Sequence, residues 1–187
     1  MDADSGQVFY EKNANTRLPM ASTTKIMTAL CAVELGKLTD VIKVNARAVG
    51  IEGSSIYLCE GERLTLHQLL YALLLASAND AAVAIAIGTA GSVEAFVDYM
   101  NQKAQELGLS DTHFENPHGL DAEEHYTTAR DLALLARVAM QNEDFYNAAS
   151  SKSATLNYGN PPYRRSLTNH NKLLKVFDGA IGVKTGF

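Results

Sequence analysis

At 187 residues, 47% of them hydrophobic, the chain can bury a sizeable core in one or two domains. A formal charge of −5 is spread along the sequence, and no basic run or aromatic-interleaved basic patch marks a nucleic-acid surface. No stretch reaches the ~18 uninterrupted apolar residues of a membrane span; the richest, Leu69 to Ala76, stops at Ser77-Ala78-Asn79-Asp80.

Taken in chain order, Gly6 to Tyr10 follows an Asp-Ser-Gly turn and predicts a short strand, with Met1 to Asp4 as the end of its hairpin partner. A helix is expected from Ser22 to Leu35, with Gly36 as its stop. Its apolar residues Ile26, Met27, Leu30, Val33 and Leu35 cover more than one stripe, so it should be buried on most sides. Val41 to Val44 reads as a small strand, and Gly50 to Gly61 as a loop with strand character at Ile56-Tyr57-Leu58. Thr65 should cap a helix carrying Leu66, Leu69, Leu70, Leu73 and Leu74. Asn79 and Asp80 open an alanine-rich helix to about Ile87, and Ser92 begins another whose apolar face ends near Gly108. A long loop, Leu109 to Tyr126, precedes a helix from Thr128 to about Met140, where Thr128 and Asp131 have capping-box spacing. Ser150 to Pro162 suggests extended segments joined by turns, and Gly179 to Phe187 a turn entering a strand.

Three short motifs carry chemistry. In Ser22-Thr23-Thr24-Lys25 the i, i+3 spacing brings the lysine amine toward the serine hydroxyl, and a helix start supplies free N–H groups for a developing anion. Alone it is weak, since S-x-x-K arises by chance about once in a chain this long, and Ser22 could be an ordinary cap. Ser77-Ala78-Asn79 abuts a buried apolar run and needs polar partners, although Asn79 could simply cap its helix. Lys184-Thr185-Gly186 is rarer; on an edge strand it could bind a carboxylate and let a ligand approach the backbone, or be only a strand end. Together and in this order they match the S-x-x-K, S-D-N and K-T-G set of class A β-lactamases and penicillin-binding proteins, with Ala78 in the middle of the second motif.

The flanking text resembles the low-molecular-mass D-alanyl-D-alanine carboxypeptidases along the whole chain. It includes Met1-Asp2-Ala3-Asp4-Ser5-Gly6, Leu75-Ala76-Ser77-Ala78-Asn79-Asp80-Ala81-Ala82, Asn116-Pro117-His118-Gly119-Leu120 and His125-Tyr126-Thr127-Thr128-Ala129-Arg130-Asp131. That resemblance implies an α/β fold of the β-lactamase/DD-peptidase kind: an antiparallel sheet flanked by helices, with residues 1–36 and 150–187 in the sheet subdomain and about 60–145 in a mostly helical one. It implies Ser22 as the acylated nucleophile and Lys25 as its general base. Ser77 would relay a proton to the leaving D-alanine, and Asn79 would hold the substrate amide and the Lys25 amine. Lys184 and Thr185, with Gly186, would bind the terminal carboxylate, and the backbone N–H groups of Ser22 and Phe187 would form an oxyanion hole. A catalytic Lys25 must be largely neutral, which burial and the Lys184 charge would favour.

The implied substrate is a peptidoglycan stem peptide ending in D-Ala-D-Ala, with β-lactams as covalent inhibitors and no cofactor or metal. His113, His118 and His125 lack metal-ligand spacing and read as structural. Cys31 and Cys59 lack C-x-x-C spacing and read as small, at least half-buried residues, not ligands or a disulfide. A serine β-lactamase is the enzymatic rival, but no E-x-x-L-N segment lies between Asn79 and Lys184. A non-catalytic penicillin-recognising sensor or scaffold is the other. Met1-Asp2-Ala3-Asp4 does not resemble a signal peptide, whereas the resemblance implies an exported, extracytoplasmic protein, with membrane association through parts absent from this sequence. It also implies two further sheet strands after Lys184-Thr185-Gly186, so the expectation is a fragment whose Lys184 strand lacks its usual neighbour.

Overall fold

The computed structural model describes residues 1–159 and 161–186. Around a central helix, α1 (Lys25–Leu35), pack α2 (Leu66–Leu75), α3 (Asn79–Ala90), α4 (Val93–Glu106), α5 (Ala129–Ala139) and α6 (Glu143–Ser150). Every residue of α1 from Lys25 to Ala32 is buried, as its apolar content on several faces predicts. In α2, Leu66, Leu69, Leu70, Leu73, Leu74 and Leu75 are buried, each contributing on the order of 1.5–3 kcal/mol.

The small side chains of α3 allow close approach, and a Cβ on Gly88 would lie 2.6 Å from Ile42. Ile42 belongs to β1 (Val41–Lys43), which pairs antiparallel with β2 (Arg63–Thr65). A second antiparallel pair joins β3 (Ser153–Tyr158) to β4 (Tyr163–Thr168), and a short helix, α7 (Leu173–Val176), follows.

Helix starts follow side-chain chemistry. Thr65 and Gln68 form a reciprocal capping box, Ser92 caps α4, and Thr128 Oγ1 accepts from Asp131 N at 3.1 Å. The Asp131 carboxylate does not complete the box; it accepts from Asp111 N and Thr112 Oγ1 instead.

Two expected strands are not strands. Residues 6–10 follow a turn closed by Asp2 N to Gln7 O and Gly6 N to Asp2 O, and Val8, Phe9 and Tyr10 stand exposed. Residues 181–186 are likewise irregular. Both have a strand's residue pattern, but neither has a ladder neighbour among the described residues, and a strand is defined by its neighbour. Ile56-Tyr57-Leu58 is also loop, because the backbone N–H groups of Ile56 and Leu58 are taken by a side chain described below and that of Tyr57 by Ser55 Oγ. Cys59 is exposed, unlike the expectation of at least half burial, while Cys31 is buried; both are free thiols.

Candidate active site

The chain enters α1 through a 3-10 turn, Ala21–Thr24, which places Ser22 half-buried one turn before Lys25. Lys25 is fully buried, and its Nζ lies 3.0 Å from Ser22 Oγ. Burial first, and the charge of Lys184 second, lower the Lys25 pKa to about 7. The same amine donates to the carbonyl of His118, a backbone atom that no residue pattern announces. Next to it, Pro117 O accepts from Thr28 Oγ1 at 2.6 Å, so one loop grips the buried face of α1 twice.

Gly119 makes that grip possible. Its φ is +93°, and a Cβ there would lie 2.0 Å from Ala21 O and 2.9 Å from Thr24 Oγ1. His125 braces the same turn from the other side. Its Nδ1 accepts from Glu115 N at 3.0 Å, which leaves Nε2 to donate to Thr24 Oγ1 at 2.8 Å; Thr24 Oγ1 in turn donates to Ala21 O. His118 Nδ1 accepts from Leu120 N. Burial lowers the pKa of both histidines to about 4, with the Lys25 charge adding to the effect at His118. Both are neutral braces of the loop, in keeping with a structural reading.

Ser77 occupies the corner between α2 and α3, buried, with φ +57°, a conformation that non-glycine residues adopt sparingly. Asn79 begins α3. Its amide donates to Glu52 O at 2.6 Å and its backbone N to Ser54 O at 2.7 Å. Its Oδ1 is buried with no hydrogen-bond partner among the described residues, so Asn79 does not bond the Lys25 amine here, contrary to expectation. The Asp80 carboxylate accepts from Ser55 Oγ (2.6 Å), Ile56 N (3.2 Å), Leu58 N (3.0 Å) and Ala81 N (2.9 Å). Adjacent residues of α3 thus hold the whole Glu52–Leu58 loop. Asp80 was missed from sequence, where it read only as a helix-opening acid.

The Lys184 segment lies beside the serine turn. Asn171 Nδ2 donates to Gly182 O at 2.9 Å, and a Cβ on Gly186 would meet Thr23 Cγ2 at 3.2 Å, so this segment abuts the serine turn. Lys184 is partly buried, donates to Thr185 O at 2.7 Å, and has a pKa lowered by burial to about 8. Phe187, the expected second oxyanion donor, lies outside the described residues. Among the described residues no cluster of histidine, cysteine or carboxylate side chains could hold a metal ion.

A helix-start serine touching a buried, weakly basic lysine, inside a helical core with small antiparallel sheets, places the chain among the S-x-x-K serine proteins. The family model for peptidase S11, D-alanyl-D-alanine carboxypeptidase, matches residues 1–187, and the chain belongs to that family. It is 41% identical over 192 residues to the D-alanyl-D-alanine carboxypeptidase DacF of Bacillus subtilis, covering all of this chain and 49% of that protein. A D-alanyl-D-alanine carboxypeptidase of a Streptomyces species (strain K15) is 36% identical, with 69% of its length covered. In solved structures, a D-alanyl-D-alanine carboxypeptidase from Mycobacterium tuberculosis superposes with a TM-score of 0.94 at 36% identity, covering all of this chain and 70% of the other. The Streptomyces K15 DD-transpeptidase gives a TM-score of 0.92 at 34% identity, covering all of this chain and 78% of the other. The chain spans about half the length of DacF.

Proposed function

We propose that the chain is the catalytic part of a serine-type D-Ala-D-Ala carboxypeptidase acting on peptidoglycan stem peptides, covalently inhibited by penicillins and working outside the cytoplasm. The observation that carries this is the 3.0 Å approach of a buried Lys25 amine, with its pKa near 7, to Ser22 Oγ.

In this reading neutral Lys25 takes the Ser22 proton while Oγ attacks the carbonyl carbon of the penultimate D-alanine. The resulting oxyanion meets the backbone N–H of Ser22, with Phe187 N–H as its second donor. Collapse breaks the peptide C–N bond, and Ser77 relays a proton to the departing D-alanine nitrogen. Water then hydrolyses the ester and regenerates Ser22. The unpartnered Asn79 Oδ1 suits a substrate amide N–H, a group it could accept from at no cost to existing bonds. Lys184 supplies positive charge for the terminal carboxylate, with Thr185 and Gly186 beside it.

The test measures D-alanine release from a diacetyl-lysyl-D-Ala-D-Ala peptide, alongside mass spectrometry of a penicillin adduct. Release and an adduct on Ser22, both lost in Ser22→Ala, are expected. An adduct without release would mark a sensor, and rapid turnover of a chromogenic β-lactam a β-lactamase.

A further inference from the structure

The two ends of the Asn79 side-chain amide differ in what they can do. A carbonyl only accepts, so the end that meets Glu52 O at 2.6 Å must be the NH2, and Oδ1 is left as the free acceptor. Turned over, the same amide would set two acceptors against each other at Glu52. It would also present a donor where the acyl-transfer reading needs an acceptor. The Glu52 carbonyl therefore fixes the polarity of Asn79, and whatever places that carbonyl bears on the chemistry.

Glu52, Gly53 and Ser54 are exposed and belong to no helix or strand, so burial does not hold them. Hydrogen bonds from α3 do. Asn79 N donates to Ser54 O at 2.7 Å. One oxygen of the next residue, Asp80 Oδ2, accepts from Ser55 Oγ (2.6 Å), Ile56 N (3.2 Å) and Leu58 N (3.0 Å). The carbonyl of Ile56 accepts in turn from the Arg165 guanidinium, so this residue is fastened at both its backbone groups.

Two details show how tightly this loop is specified. Tyr57 is 77% exposed at φ +55°, with its own N–H on Ser55 Oγ and the N–H groups of both neighbours on Asp80. A non-glycine residue keeps so sparsely populated a conformation only where its surroundings over-determine it, and such positions cluster at working sites. Gly53 has φ +86°, and a Cβ there would lie 2.9 Å from Asn79 Nδ2. Glycine lets the loop backbone close directly onto the Asn79 amide.

We propose that Asp80 is a positioning residue for the acyl-transfer reaction, anchoring the Glu52–Leu58 loop so that the Glu52 carbonyl keeps Asn79 Oδ1 ready for the substrate amide N–H. Asp80 acts through the loop and not on the substrate. The inference rests on the acyl-transfer reading and extends it to a residue outside the three motifs.

The experiment measures D-alanine release by the full chain from diacetyl-lysyl-D-Ala-D-Ala and from its depsipeptide. In the latter D-lactate replaces the penultimate D-alanine, so an ester oxygen stands where Asn79 would accept an N–H. The parent should favour the amide about tenfold in kcat/KM, through KM, the worth of one hydrogen bond. Asp80→Ala should bring that ratio toward one by raising KM for the amide alone. Asp80→Asn, whose carbonyl oxygen can take the three donors now on Oδ2, should keep most of it. A loss of stability alone lowers both peptides in proportion and leaves the ratio where it was. If Asp80→Ala proves unfolded by thermal melting, Gly53→Ala, which presses on the Asn79 amide from an exposed loop, decides alone. A parent ratio of one, or an unchanged ratio in the deciding variant, overturns the positioning role, while D-alanine release still upholds the carboxypeptidase reading. Absence of release from both peptides counts against that reading instead. The rates of Ser22 acylation by benzylpenicillin and by its analogue with an ester in place of the side-chain amide then give the ratio, and an unchanged ratio in the deciding variant again overturns the role.

Discussion

Burial and Lys184 bring the Lys25 pKa from its ordinary value of 10.5 down to about 7, and this sets a measurable acylation profile. At pH 7 an unperturbed lysine is free base in only about 3 molecules per 10,000, whereas one titrating near 7 is about half free base. The site therefore raises the concentration of competent base by about 10³. The rate of Ser22 labelling by a fluorescent penicillin should fall tenfold per pH unit below about 7 and level off above it. Lys25→Arg, whose guanidinium stays protonated, should lower the rate by about 10³ or more with the fold intact. The same shift acts on stability: between about pH 7 and 10.5 the unfolded chain holds a proton that the folded chain has lost, so stability rises with pH across that window. Labelling that is flat from pH 5 to 8, or a Lys25→Arg variant within tenfold of the parent, would refute the assignment of Lys25 as base.

Other expectations follow from neighbouring contacts. Gly119→Ala must open a 2.0 Å approach to Ala21 O and release the bonds of His118 O and Pro117 O, a loss of about 3–5 kcal/mol readable by urea unfolding; a stability within 1 kcal/mol of the parent would contradict that grip. Lys184→Gln removes a like charge, so the acid limb of penicillin labelling should move to higher pH, and an unmoved limb would show that burial alone lowers the Lys25 pKa. Asp80→Ala strips acceptors from Ile56 N and Leu58 N, about 1–3 kcal/mol for each orphaned group, measurable as a lowered denaturation midpoint.

Much of the helical frame was legible because its signals are local: Thr65, Ser92 and Thr128 each stand immediately before the helix they cap. Helix α6 was missed because its eight residues span only about two turns, too short a window for the period of Phe145, Ala148 and Ala149, all buried, to stand out. Strand β2, three residues long, carries too few alternations to register. Residues 6–10 and 181–186 show the converse, since strand-prone residues after a turn are visible in sequence but the neighbour that turns them into a ladder is not. At the site, the Ser22–Lys25 contact was legible because a helix fixes the distance between i and i+3. The carbonyls of Pro117 and His118 were not, because every residue has a carbonyl and only the loop's path aims these two; the sequence trace of that path is Gly119. Asp80 escaped for a related reason, since its partners are backbone N–H groups more than twenty residues away.

The His118–His125 loop carries a liability at low pH. Both rings titrate near 4, well below an ordinary histidine, so between about pH 6.5 and 4 the unfolded chain takes up protons that the folded chain refuses, and stability declines as acid is added. Once protonated, each Nδ1 becomes a donor facing a backbone N–H, Glu115 for His125 and Leu120 for His118, and two donors cannot share a bond. The brace behind the serine turn would then come undone from the side of the loop, carrying His118 O away from the lysine. Acid inactivation should therefore begin as a local event at this loop, before the helical core yields.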